Sequence, residues 1–140
     1  MSDIPESGIV VSYPYLWRRQ AEAGWESAEK DRPVCLAITL RDERQNLTHL
    51  VILAITGTPP KLGQKAIEIP ALEVKRAGLS TLKPAWLMIG EYNYDIVERS
   101  FYFEPNQKPW GRFGPRFLEE IRQAIRPLLA QREGRIDRTI

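Results

Sequence analysis

The sequence predicts a mainly β domain with helices, a strongly twisted antiparallel barrel finished by a C-terminal helix, and three observations carry that expectation. Five or six stretches have strand character, polar or Gly/Pro punctuation separates them, and one long run with helical spacing lies near the end. A length of 140 residues suits one compact domain, large enough to bury about two thirds of its unfolded surface without covalent staples. Residues 1–140 are therefore read as one domain.

Taken in order, Gly8 to Trp17 is rich in β-branched and aromatic residues and reads as a first strand. Pro14 cannot donate to a ladder, so this strand belongs at an edge or carries a bulge. Arg18 to Arg32 is polar, mixed in charge and broken at Gly24, which predicts a long loop with room for a helical turn between Arg19 and Lys30. Pro33 to Arg41 and Leu47 to Thr56 read as two strands joined by the polar connection Asp42 to Asn46. Both alternating sets of side chains in the second of these are mostly apolar, the pattern of a central strand covered on both faces.

Gly57-Thr58-Pro59-Pro60 ends that strand. Ala66 to Ile69 reads as a short strand, and Pro70 to Gly78 as a short helix with Pro at its start and Gly at its end. Ala85 to Val97 returns to strand character, with Ser100 to Phe103 as a candidate partner. From Pro115 to Gln131, Phe117, Leu118, Ile121, Ile125, Leu128 and Leu129 recur at helical spacing, and Pro127 should kink or split that helix. Residues 132–140 read as a flexible tail. Several short strands and one terminal helix on so small a chain point to a barrel of the SH3-like kind.

Composition narrows the class. The chain starts on a short acidic stretch without an apolar leader, and no apolar run approaches the length of a membrane span, so a cytoplasmic protein without a membrane partner is expected. The single cysteine, Cys35, excludes an intrachain disulfide and any cysteine-rich zinc site; within an apolar run it reads as a buried thiol. The net charge of +2 is too small to announce a polyanion partner, yet its placement is uneven. Residues 1–31 hold 3 Lys/Arg against 6 Asp/Glu, residues 32–111 hold 10 against 8, and residues 112–140 hold 7 against 4. The basic excess starts at Arg32, a gradient that permits contact with nucleic acid.

Arg32 is also the leading site candidate. It stands in Lys30-Asp31-Arg32-Pro33 directly before the apolar run Val34 to Leu40, while a second apolar run ends at Ile55-Thr56-Gly57. A guanidinium fork and a strand-end hydroxyl brought side by side make a phosphate site, with backbone amides near Gly57 to complete it and Lys30 to steer the anion. On these residues alone, a strand-edge Arg in a surface ion pair with Asp31 or Glu29 stays open. His49 sits mid-strand, seven residues from Thr56 and of opposite side-chain parity, which favours a structural role. Tyr13, Tyr15, Trp17 and Trp25 flank the polar loop and are candidates for stacking on unpaired bases or for packing. Asn93 is read as a strand or turn hydrogen-bonding residue, with contact to a base edge as the alternative.

The order of these features resembles the PemK/MazF family of toxins from bacterial toxin-antitoxin pairs: a Gly8-Ile9-Val10-Val11 strand, a polar loop, Arg32-Pro33 opening one strand, Thr56 closing the next, and Ile69-Pro70 before a short helix. Tyr13 to Trp17 and the Glu-rich loop before Lys30 look like a longer-loop branch. The resemblance implies a homodimeric, SH3-like (CcdB/PemK/MazF-type) barrel and an endoribonuclease cutting single-stranded RNA without metal or other cofactor. It also implies silencing by a cognate antitoxin laid over the RNA groove. It places the catalytic pair on Arg32 and Thr56; Glu29, Lys30 and Gly57 beside them are the expected substrate contacts. The family's acidic residue falls on Glu26 or Glu29, either of which is chemically easier as a base than an arginine. A catalytically silent binding module, or a growth inhibitor acting on a protein target as the gyrase-poisoning CcdB toxins do, is the competing expectation.

Overall fold

The computed structural model describes residues 4–28, 30–131 and 134–139. Its centre is a hairpin of β2 (Arg32–Asp42) and β3 (Leu47–Thr56), paired from Val34↔Ala54 to Asp42↔Leu47 with one irregularity between Leu36 and Ile38. The turn closes because Asp42 Oδ1 accepts the amides of Arg44 and Gln45 and Asn46 takes the left-handed φ of 56° that Asn tolerates. β1 (Ile9–Tyr13) lies along the outer edge of β2, and β7 (Gly111–Arg112) along β1.

The other edge of β3 is divided. Its first half, His49 to Ile52, pairs with β6 (Tyr92–Ile96), and its last two residues pair with β5 (Trp86–Met88), which carries β4 (Ala66–Glu68). β8 (Arg135–Asp137) joins β6 in parallel. The result is a mainly antiparallel eight-stranded sheet with a C-terminal helix. Among the described residues the pairing path ends at β4 and β7 without closing, so of the expected barrel the structure shows a mainly antiparallel open sheet.

Both faces of the hairpin are buried, as the double apolar pattern of β3 requires. On one face Val10, Cys35, Leu53 and Ile55 pack under α3 (Pro115–Gln131) through Phe117, Ile121 and Ile125; on the other Val11, Tyr13, Leu36, Leu50 and Ile52 pack with Phe103. Each fully buried aliphatic or aromatic side chain contributes about 1.5–3 kcal/mol, so the two layers supply most of the driving force. α3 spans the predicted residues and is not split at Pro127: the missing amide falls after Ile125, beyond the last fully buried turn. Among the described residues no helix is long and apolar enough to cross a membrane.

Other elements depart from the sequence pattern. The run Ala85 to Val97 is broken at Ile89 to Glu91 into β5 and β6. Ser100 to Phe103 forms no strand, because the Ser100 hydroxyl accepts the amides of Tyr102 and Phe103 and turns the chain. The long polar loop begins with a short helix, α1 (Arg18–Glu22). α2 (Ala71–Arg76) has Pro70 as its N-cap and ends in a Schellman arrangement, Leu79 N–H to Val74 O and Gly78 N–H to Lys75 O, with Gly78 at φ 71°.

The expected tail is the largest correction. Residues 135–137 are strand, and Arg138 is only 3% exposed: its Nη1 donates to Pro14 O at 2.7 Å and Asn93 Oδ1 at 3.2 Å, and its guanidinium stacks 3.8 Å from the Tyr102 ring. A polar tail with two isoleucines carries little apolar signal; partners in distant parts of the chain, from Pro14 to Tyr102, order its described residues. Residues 132, 133 and 140 of the expected tail lie outside the described residues.

Candidate functional site: a cationic cleft at two strand ends

β2 starts at Arg32 because Pro33 biases the residue before it toward extended backbone, and β3 stops at Thr56 because Gly57 and the two prolines after it abandon the ladder. In the antiparallel register Val34 faces Ala54, and each strand runs two residues past that pair, β2 to Arg32 and β3 to Thr56, so both ends lie at the same edge of the hairpin. Both side chains are half-buried and line one cleft of about 480 Å³ together with Lys30, Gly57, Arg19 and Lys61. Asp31 is the one carboxylate among the described residues lining it, so four cations face one anion.

Trp17 sets the guanidinium. Its indole is 7% exposed, and Cζ of Arg32 lies 4.9 Å from the ring centroid while Cζ of Arg19 lies 5.3 Å from it. Tyr15 meets the same ring edge-on at 5.1 Å. Each cation–π contact of this kind is worth about 0.5–1 kcal/mol at an exposed site and about 2 when desolvated, enough to restrict a long side chain to one region. Thr56 Oγ1 accepts the Thr58 amide at 3.1 Å, which fixes the hydroxyl oxygen and leaves its proton to be donated.

Of the residues expected at the site, Arg32, Thr56, Lys30 and Gly57 come together; Glu29 lies outside the described residues. Glu26 does not join them, but lines a separate depression with Trp25 and Tyr102. Tyr13, Tyr15 and Trp17 are at most 7% exposed and are unavailable for base stacking; they pack the core and hold the cations. His49 shares a hydrogen bond with the Tyr94 hydroxyl at 2.5 Å and stacks on that ring outside the cleft. Asn93 is fully buried and brackets Leu16, accepting its amide at 2.9 Å and donating to its carbonyl at 2.8 Å. Cys35 is fully buried, and burial pushes its thiol up to about 12.

Sequence reasoning missed Arg19, Lys61 and Glu91. Arg19 had one available signal, its place two residues after Trp17 at the start of a helical turn. Glu91 had none, since nothing local announces that its Oε2 accepts the Arg18 amide at 2.8 Å and the Tyr15 hydroxyl at 3.3 Å. Burial holds the Glu91 carboxyl above the usual carboxylate range against those two hydrogen bonds, and burial together with Glu91 holds the Tyr15 phenol well above its own. Among the described residues no three His, Cys, Asp or Glu side chains converge on a metal-sized space. Comparison with protein-family models, with curated proteins and with solved structures finds no match for this chain.

Proposed function

We propose that this protein is an endoribonuclease of the PemK/MazF kind, cutting single-stranded RNA by attack of the neighbouring 2′-hydroxyl. The observation that supports it best is the convergence of Arg32 and Thr56 at adjoining strand ends in one cationic cleft, with the guanidinium held by Trp17. In that reaction the 2′-oxygen bonds to phosphorus and the bond to the 5′-oxygen breaks, leaving a 2′,3′-cyclic phosphate and a 5′-hydroxyl. Arg32 stabilises the negative charge on the equatorial oxygens, and Thr56 with the Gly57 amide completes the donor set. The 2′-hydroxyl proton passes to a carboxylate, for which Asp31 lines the cleft, and water returns a proton to the departing oxygen. The reading carries with it an SH3-like curvature of the open sheet, a homodimer, a cytoplasmic setting, and a cognate antitoxin that competes for the groove.

Incubation of purified protein with a long unstructured RNA in EDTA tests it. Wild type should cleave, and Arg32→Ala should lower the rate by about 10²–10³-fold, the usual effect of removing one transition-state donor. RNA left equally intact by both proteins would sink the enzyme reading. Growth arrest on expression of Arg32→Ala as strong as that of wild type would transfer the activity to a protein target.

A further inference from the structure

The cleft does not stop at Arg32 and Thr56. A second compartment of about 690 Å³ adjoins it, and Arg19, Gln64 and Met88 line both. Lys65 adds positive charge along the extension, Arg18 lines it already paired with Glu22 at 2.9 Å, and Glu91 and Leu128 line it as well. A compartment of this volume has room for a nucleotide on one side of the bond cleaved in the first.

Two polar side chains in the extension are each held by one atom and open at the other. Glu91 receives both of its hydrogen bonds, from the Arg18 amide and the Tyr15 hydroxyl, on Oε2, and among the described residues Oε1 receives none. Gln64 Oε1 accepts the Lys61 amide at 2.8 Å, and among the described residues its Nε2 makes no hydrogen bond. The wall therefore offers a fixed acceptor and a fixed donor. Unpaired RNA is read largely on its Watson–Crick edges, and an ionised carboxylate only accepts. Guanine alone presents two adjacent donors, N1–H and the N2 amino group, beside an acceptor, O6. Adenine and cytosine set a ring acceptor next to their amino group, and uracil flanks its one N–H with two carbonyls, so each turns lone pairs toward a carboxylate.

We propose that this second compartment is a guanine-selective subsite, in which Glu91 Oε1 accepts from the base's N1–H and N2–H and Gln64 Nε2 donates to O6. The assignment deepens the RNA-cleaving reading and rests on it for the neighbouring phosphate.

The test uses the full chain and short 2′-O-methyl oligonucleotides, which cannot be cleaved, either all pyrimidine or with one guanine, titrated by fluorescence anisotropy at mildly alkaline pH so that the carboxyl is ionised. Wild type should prefer the guanine-bearing strand by roughly tenfold, about what a hydrogen bond to a charged group contributes. Glu91→Gln and Gln64→Ala should each reduce that preference, Glu91→Gln to about twofold or less. Circular dichroism checks that both variants fold, and Gln64, being exposed, can be changed without disturbing the core. Equal binding of the two strands by wild type, or a preference that survives both substitutions, would overturn the subsite. Guanine preference without cleavage of ordinary RNA would refute the nuclease reading and leave the subsite standing; cleavage indifferent to guanine would do the reverse.

Discussion

Arg32 and Thr56 were legible as a pair because each is marked by a backbone signal, Pro33 after the one and Gly57 with its prolines after the other. The role of Trp17 was not, because an indole flanking a polar loop looks the same whether it faces solvent or holds two guanidinium groups beneath it. Glu91 offers a direct check on the electrostatics of this region. Its carboxyl titrates higher in the fold than in the unfolded chain, so between the ordinary carboxylate value and the raised one the folded state holds the extra proton. Stability must then fall as pH rises through that window. Thermal melts of wild type and Glu91→Gln from pH 4 to pH 8 should show a gap that shifts in favour of the variant as pH rises; parallel curves would contradict the raised value.

At the scale of elements, β3 and α3 run over the residues the pattern predicts, since double-sided burial and a helical apolar stripe are both local in the sequence. The break between β5 and β6 was hidden because Ala85 to Val97 is almost continuously apolar or aromatic, and only pairing with different halves of β3 divides it. A contact equally invisible in the sequence joins α2 to β7. A Cβ on Gly111 would stand 2.3 Å from Arg76 O, and one on Gly78 would stand 2.3 Å from Trp110 O, so the two backbones touch where both residues lack side chains. Gly111→Ala should lower stability by about 2–3 kcal/mol in urea unfolding, an overpacking effect against rigid backbone. Gly24→Ala, which meets nothing within 4 Å but keeps a φ of 90°, should lose only about 1 kcal/mol. Equal midpoints for Gly111→Ala and wild type would mean the two segments separate readily.

Across the whole molecule, the open sheet is tied together by polar groups from distant parts of the chain. Asp95, fully buried, accepts the Tyr13 hydroxyl at 2.8 Å and the Ser100 hydroxyl at 2.5 Å; Asn93 holds Leu16; and Arg138 reaches both Asn93 and Pro14. Such a network is inaccessible to sequence reading, because it depends on which turns bring remote residues together. Arg138→Ala should destabilise the fold by about 2–3 kcal/mol, since it leaves the Pro14 carbonyl without this donor and removes the stack on Tyr102. Urea titrations measure this, and an unchanged midpoint would return residues 134–139 to the status of a loose end. The same connection has a consequence in time. The segment that leads into Trp17 is pinned by Asn93 and Arg138, so a polypeptide still emerging from the ribosome lacks the anchor that position 138 supplies. The tie to Pro14 forms only once synthesis has passed that arginine.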